Sequence, residues 1–183
     1  MYASDKINRI KQGDILENVE FNLFSPKEKS YLKIIYPYTL VLTQDCDLEQ
    51  DHTARNNIEA THQDKFLEST LLLPAFLSED FKMGTHLSMI GLNRLNWSTS
   101  FSSKSNKWDD IKNNENKRFH CLKNDAELKI PELVADFKFF FTLPHSQLNE
   151  IYEKSYLASI KPLFREDLSF RFANYLARIG LPT

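Results

Sequence analysis

"YLKIIYPYTLVLTQDCDL", residues 31–48, decides how this chain is read. Apart from Lys33 and Pro37, residues 31–43 are apolar, aromatic or β-branched, the types that suit a pleated and half-buried backbone. They are therefore expected to form a strand. Pro37 has no N–H for a ladder, so it should split the run or mark an edge or bulge, leaving 39–43 as a short buried strand. The run stops at Thr43, Gln44, Asp45, Cys46 and Asp47, which places a cysteine between two carboxylates at the end of a buried element.

Outward from this stretch the pattern stays β-rich. Residues 11–24 read as a turn and then a strand, with Val19, Phe21 and Leu23 alternating. Residues 25–30 are a polar turn. Residues 45–63 read as a polar loop with some helix. Leu71, Leu72 and Leu73 form a further strand ahead of Pro74. Ser78, Glu79 and Asp80 look like the start of a short helix, and Gly84 could end it.

The stretch 92–116, rich in Ser, Asn and Lys, reads as an exposed insertion. Residues 119–122 and 133–143 are strands, and Pro144 ends the second. A short helix is expected over 145–153 and a longer one over 162–179. Pro162 suits the first helical position, and Gly180 and Pro182 lie beyond the end. Phe164, Leu168, Phe172, Tyr175, Leu176 and Ile179 keep helical spacing. The expected fold class is mainly β with α. It would be a small barrel or highly curved sheet covered by helices, one domain over 1–183 with a partly helical insertion at 78–116.

Composition bounds the function. The chain has 183 residues, 42% hydrophobic and 26% charged, enough for a core that needs no staples. Fourteen Phe fit a β-rich interior. A net charge of −2 gives no global argument for nucleic acid, though a local basic patch could still serve. Two cysteines, Cys46 and Cys121, are too few for a disulfide framework and fit a reducing cytoplasm. The N-terminus lacks the apolar core of a signal peptide, and no apolar run is long enough to suggest a membrane span.

Two segments carry a resemblance. Gln12-Gly13-Asp14-Ile15, followed by Tyr36-Pro37-Tyr38-Thr39-Leu40-Val41-Leu42, resembles the MazF/PemK toxin barrel, which shows a GDI strand and later an Arg-Pro before an apolar strand. Val134-Ala135-Asp136, Phe141-Thr142-Leu143 and Gln147-Leu148 look like the family's late strand and short helix, with 164–179 as its closing helix. The likeness spans roughly the first 45 and last 50 residues. It implies an SH3-like barrel, a prokaryotic toxin or defence system, action on single-stranded RNA and, by analogy, a homodimer. The family's arginine is Tyr36 here, and tyrosine carries no positive charge at neutral pH. Ribonuclease activity therefore does not transfer by default. The central Thr-Gln-Asp-Cys-Asp-Leu (43–48) and Arg118-Phe119-His120 also resemble uncharacterised prokaryotic proteins.

Three chemistries compete for these residues. In a ribonuclease, Arg118 would replace the missing arginine, His120 or Asp47 would act as base, and Thr43 would orient the phosphate. Arg118, Phe119 and Lys117 would grip RNA, charge on phosphate and ring on base. A zinc site could draw on Cys46, Asp47, His52 and His120, though no CxxC pair supports it. A Cys46–His120 hydrolase is the third. Against these, Cys46 can be a small buried hydrophobe, Asp45 and Asp47 can order a turn, and the basic region around Arg118 can be a solvated insertion. The remaining alternative is a non-catalytic subunit with an aromatic surface for a partner protein. His86 could bond helix C-terminal carbonyls, His62 and His145 have no evident partner, and Arg171 and Arg178 would make surface salt bridges.

Overall fold

The computed structural model describes residues 1–4, 6–26, 28–98 and 108–178. Its frame is one antiparallel sheet. The long hairpin of β2 (Asp14–Ser25) and β3 (Ser30–Val41) lies at its centre. Strand β8 (Tyr156–Ile160) and the two-residue β1 (Tyr2–Ala3) extend it on the β2 side. On the β3 side come β4 (Ser69–Leu77), then β6 (Leu133–Asp136) and β5 (Phe119–Leu122). The order β1-β8-β2-β3-β4-β6-β5 ends in two separate edges, so the expected closed barrel is not seen. Mixed β/α character is.

Pro37 and Pro74 are both tolerated inside long strands, for different reasons. Asn18, directly across the hairpin from Pro37, has a φ of 54°. At this point both strands change the phase of their side-chain alternation together. Ile15 and Leu40 pack on one layer, yet Val19 and Tyr36, of the same parity, pack on the other. The pairing therefore stays in step, and the strand continues where the sequence suggested a break. Pro74 lies where the outer edge of β4 has no partner. Strand β7 (Phe141–Pro144) pairs with Ser69–Leu72 and β6 begins opposite Ala75. Between them Phe137–Phe139 form a 3₁₀ turn, so the expected single strand over 133–143 is two strands on one line.

Helices cover both layers. Helix α5 (Pro162–Leu176) sets Leu168, Phe172 and Tyr175 against Ile15, Leu40, Leu73 and Phe137. On the opposite layer, α1 (Asp45–Arg55) contributes Leu48, and α4 (His145–Ser155) contributes Leu148 and Tyr152. Farther along, α2 (Ser78–Met83) and α3 (Trp108–Lys112) bring Phe81 and Ile111 onto Ile34, Tyr36, Phe76 and Val134. The insertion thus supplies core and is not a solvated loop throughout. Lys104, Lys107, Ile179, Gly180 and Pro182 lie outside the described residues.

A buried carboxylate, Asp14, and a half-buried one, Asp45, hold the frame. Asp14, the acid of the GDI motif, is fully buried and accepts hydrogen bonds from Tyr152 Oη (2.7 Å), Ser159 Oγ (2.5 Å) and the Lys11 amide (2.7 Å). Asp45, in the first turn of α1, accepts from Arg9 (3.0 and 3.3 Å), Arg165 (3.4 Å) and the Gln12 amide (3.3 Å). Partial burial pushes the Asp45 carboxyl up, but the two arginines outweigh it and hold it below the usual range. Among the described residues, Arg171 forms no salt bridge. It donates instead to the carbonyls of Asn114, Asn116 and Phe119, fastening α5 to the entry of β5. Among the described residues, no helix is long and apolar enough to cross a membrane.

Candidate functional site

The structure separates the residues that sequence reasoning grouped. Thr43 Oγ1 accepts the Leu71 amide at 2.7 Å and ties the end of β3 to β4. Cys46 and Asp47 are exposed on α1, where the thiol lies 3.6 Å from both Gln44 Oε1 and Asp47 Oδ1. His52, one turn on, meets Asn56. His120 is enclosed in β5, 3% exposed, and its Nδ1 has no hydrogen-bond partner among the described residues. Burial first, and then the Arg171 charge, push its pKa down to about 3. A general base must reach the proton it takes and must bind protons near working pH. His120 meets neither condition in this structure. Among the described residues, no three His, Cys, Asp or Glu side chains gather as a metal site, so Cys46, Asp47, His52 and His120 do not form the expected zinc set. Cys121 is buried, and burial pushes its thiol up to about 11.

Tyr36 is a core aromatic and not a charged group. It is 3% exposed, against Phe21 and Phe141, with Phe76 and Phe139 edge-on.

Arg118 and Phe119 do line a cavity, of about 430 Å³. One wall is built by β5 and β6. The Asp136 carboxylate ends β6, accepts the Lys138 amide at 3.0 Å, and takes Arg118 in a two-point fork, Nε to Oδ1 at 2.8 Å and Nη2 to Oδ2. That fork fixes the guanidinium 4.8 Å from the centroid of the Phe119 ring and keeps it charged.

The opposite wall is a strap over 91–98. Helix α2 ends at Gly84 in the left-handed region, φ 76°, as its sequence suggested. The turn lets the strap lie close. The Arg94 amide donates to Gly84 O (3.1 Å) and the Trp97 amide to Lys82 O (2.8 Å). A β-carbon at residue 84 would sit 2.4 Å from the Arg94 carbonyl oxygen, so glycine is required there by contact as well as by φ.

The floor is aromatic. His86 stacks on Phe81 at 4.2 Å, Phe119 meets Phe81 edge-on at 5.2 Å, and Trp97 meets Phe119 edge-on at 5.8 Å. Arg94, exposed at the rim, enters no salt bridge among the described residues. His86 lines the cavity, is 7% exposed, and its Nδ1 is enclosed, with no hydrogen-bond partner among the described residues. Burial pushes its pKa down to about 4, so the ring is neutral at pH 7. A cationic rim and stacked rings suit a planar, anionic ligand. Lys117 is exposed and outside this lining.

A third buried histidine, His145, has partners that the sequence did not reveal. His145 Nδ1 shares a hydrogen bond with Thr70 Oγ1 (2.8 Å), and its Nε2 lies 3.0 Å from Asp51 Oδ2. Asp51 also accepts Arg55 Nε (2.8 and 3.0 Å) and the Leu67 amide (2.6 Å). The order hydroxyl, imidazole, carboxylate is that of a hydrolase triad, but Thr70 is fully buried and no substrate carbonyl can approach it. The network clamps α1, β4 and α4 together. No protein-family model matches the sequence, and neither a comparison with curated proteins nor one with solved structures finds a match.

Proposed function

We propose that the chain is a binding module for single-stranded RNA, holding one nucleotide in the cavity between the strap and β5, and that it does not cleave what it binds. The observation that carries this reading is the convergence of Arg94, Arg118, Trp97 and Phe119 on one cavity. Aromatic faces stack bases of any kind, and guanidinium groups meet phosphate. Two features speak against cleavage by the expected route: the core position of Tyr36 and the enclosure of His120. The MazF/PemK resemblance belongs to the same proposal, as a toxin- or defence-related module that keeps the RNA and lacks the family's arginine.

Trp97 reports directly. Titrating the protein with a short mixed-sequence RNA should quench its fluorescence, and the RNA should be recovered intact. Arg94→Ala and Trp97→Ala should each weaken binding roughly tenfold, in line with about 1–3 kcal/mol per stacked base. Absent binding, or binding indifferent to both substitutions, would refute the proposal.

A second reading, a protein-interaction surface, has one observation behind it. Beyond Tyr36 neither outer edge of the β2–β3 hairpin has a strand partner among the described residues. Its end exposes Phe24, Tyr31, Leu32 and Ile35, and such an edge readily adds a second copy of the chain. Sedimentation of the protein and of Tyr31→Glu would show a dimer lost in the variant; a monomer in both removes this reading.

A further inference from the structure

Resting on the nucleotide reading above, we propose that the two arginines of this cavity have different tasks. Arg94 holds the phosphate, and Arg118, locked to Asp136, is the plane on which the base stacks. The division follows from what each guanidinium is bonded to. Arg118 gives Nε and Nη2 to the two oxygens of Asp136, a carboxylate whose side chain is only 5% exposed. Its Cζ lies over the Phe119 ring at 4.8 Å, and Phe119 is itself buried. The fork fixes the guanidinium and the ring backs it, yet the Arg118 side chain is 31% exposed and lines the cavity. With Phe119 against one face and Asp136 along the forked edge, the opposite face is what stays open. Guanidinium planes stack unpaired bases as aromatic rings do. A base entering the cavity meets this plane before it can meet the buried Phe119 ring.

Phosphate is poorly served by the same group. Asp136 already balances its charge, and an anion on the free Nη1 would lie beside that carboxylate. Arg94 has the opposite surroundings. It is exposed on the strap, lines the same cavity, and enters no salt bridge among the described residues. Its amide is tied to Gly84 O, which holds it at the rim. A point charge suffices for phosphate, whereas a stacking plane needs the guanidinium itself. Lysine should therefore replace Arg94 but not Arg118.

The probes are two five-residue RNAs, XXAXX and XXXXX, where X is an abasic ribose. One offers a single base, the other only backbone. Each is titrated calorimetrically, over a range of salt concentrations, against wild type, Arg94→Ala, Arg94→Lys and Arg118→Lys. Wild type should bind XXAXX about tenfold tighter than XXXXX, as one stacked base allows. Arg118→Lys should lose most of that gap by weakening XXAXX, with XXXXX changed by less than about twofold. A fork that mattered only to the fold would weaken both alike. Arg94→Ala should weaken both probes equally and make the slope of log affinity against log salt shallower by about 0.7, the mark of one lost phosphate contact on a single strand. Arg94→Lys should restore affinity and slope. A gap that survives Arg118→Lys, equal weakening of both probes by it, or Arg94→Lys no better than Arg94→Ala would overturn the division of tasks while leaving the nucleotide reading intact. No binding of XXAXX by wild type, or no gap between the probes, would overturn the nucleotide reading itself.

Discussion

His86 and His145 are both buried histidines near a carboxylate, yet their surroundings differ in one respect. At His145 both ring nitrogens are engaged, and Asp51 is shared among His145, Arg55 and the Leu67 amide. At His86 one nitrogen has nothing. A satisfied buried network fixes a fold, because each member would be costly to leave unpaired. The cavity beside His86 offers cationic and aromatic walls to whatever enters it. The first region is scaffold; the second is the candidate site.

The largest effect should come from breaking the satisfied network. Asp51→Ala leaves the buried Leu67 amide and His145 without their acceptor and Arg55 without its carboxylate, and each buried donor left unsatisfied costs about 1–3 kcal/mol. Urea unfolding should show a loss of this size, with no direct effect on RNA affinity in the fraction that stays folded.

Gly84→Ala should cost less, roughly 1–3 kcal/mol from the positive φ and the forced shift of the strap. Unlike Asp51→Ala it should also weaken RNA binding, because the Arg94 backbone moves with the strap. A destabilised variant with unchanged affinity would detach the strap from the site.

Acid should act next. His86 and His120 have folded pKa values of about 4 and about 3, below the ordinary histidine value. Between that value, near 6.5, and the folded values, the unfolded chain binds more protons than the native one, so stability must fall as pH drops. At pH 5 the loss should be about 1–2 kcal/mol for each ring. Thermal melts at pH 7 and pH 5 check this, and His120→Phe should flatten the dependence.

The smallest effect on stability belongs to His86→Phe. Removing an unpaired buried nitrogen while keeping the ring should leave stability within about 1 kcal/mol of wild type, or raise it. A large loss would mean that Nδ1 has a structural partner and that the contrast with His145 is false.

Strands β2, β3 and β4 and helix α5 were legible from apolar runs or helical periodicity, and α2 from its acidic start and Gly84, although β3 and β4 run on through Pro37 and Pro74. Helix α1 was not. Its sequence, DCDLEQDHTAR, buries only Leu48 and Asp51, so no apolar stripe announces it. Strands β1 and β8 are too short or too close to a helix to stand out, and they find each other only in the folded chain. Arg118 and Phe119 were legible as chemistry from their adjacency. Arg94 and Trp97 were not, since they lie in a polar stretch whose path is set by backbone bonds to Lys82 and Gly84. The partners of His145, Thr70 and Asp51, are distant in sequence and come from other elements. The proposed convergence of Cys46 with His120 failed because α1 carries Cys46 outward while β5 turns His120 into the interior.

Backbone amide shifts of the ¹⁵N-labelled protein, followed as a short mixed-sequence RNA is added, test the site most directly. The expected result is a set of shifts confined to α2, the strap and the entry of β5, with the Asp51–His145 clamp unmoved. Shifts centred on α1 around Cys46, or none at saturating RNA, would contradict it.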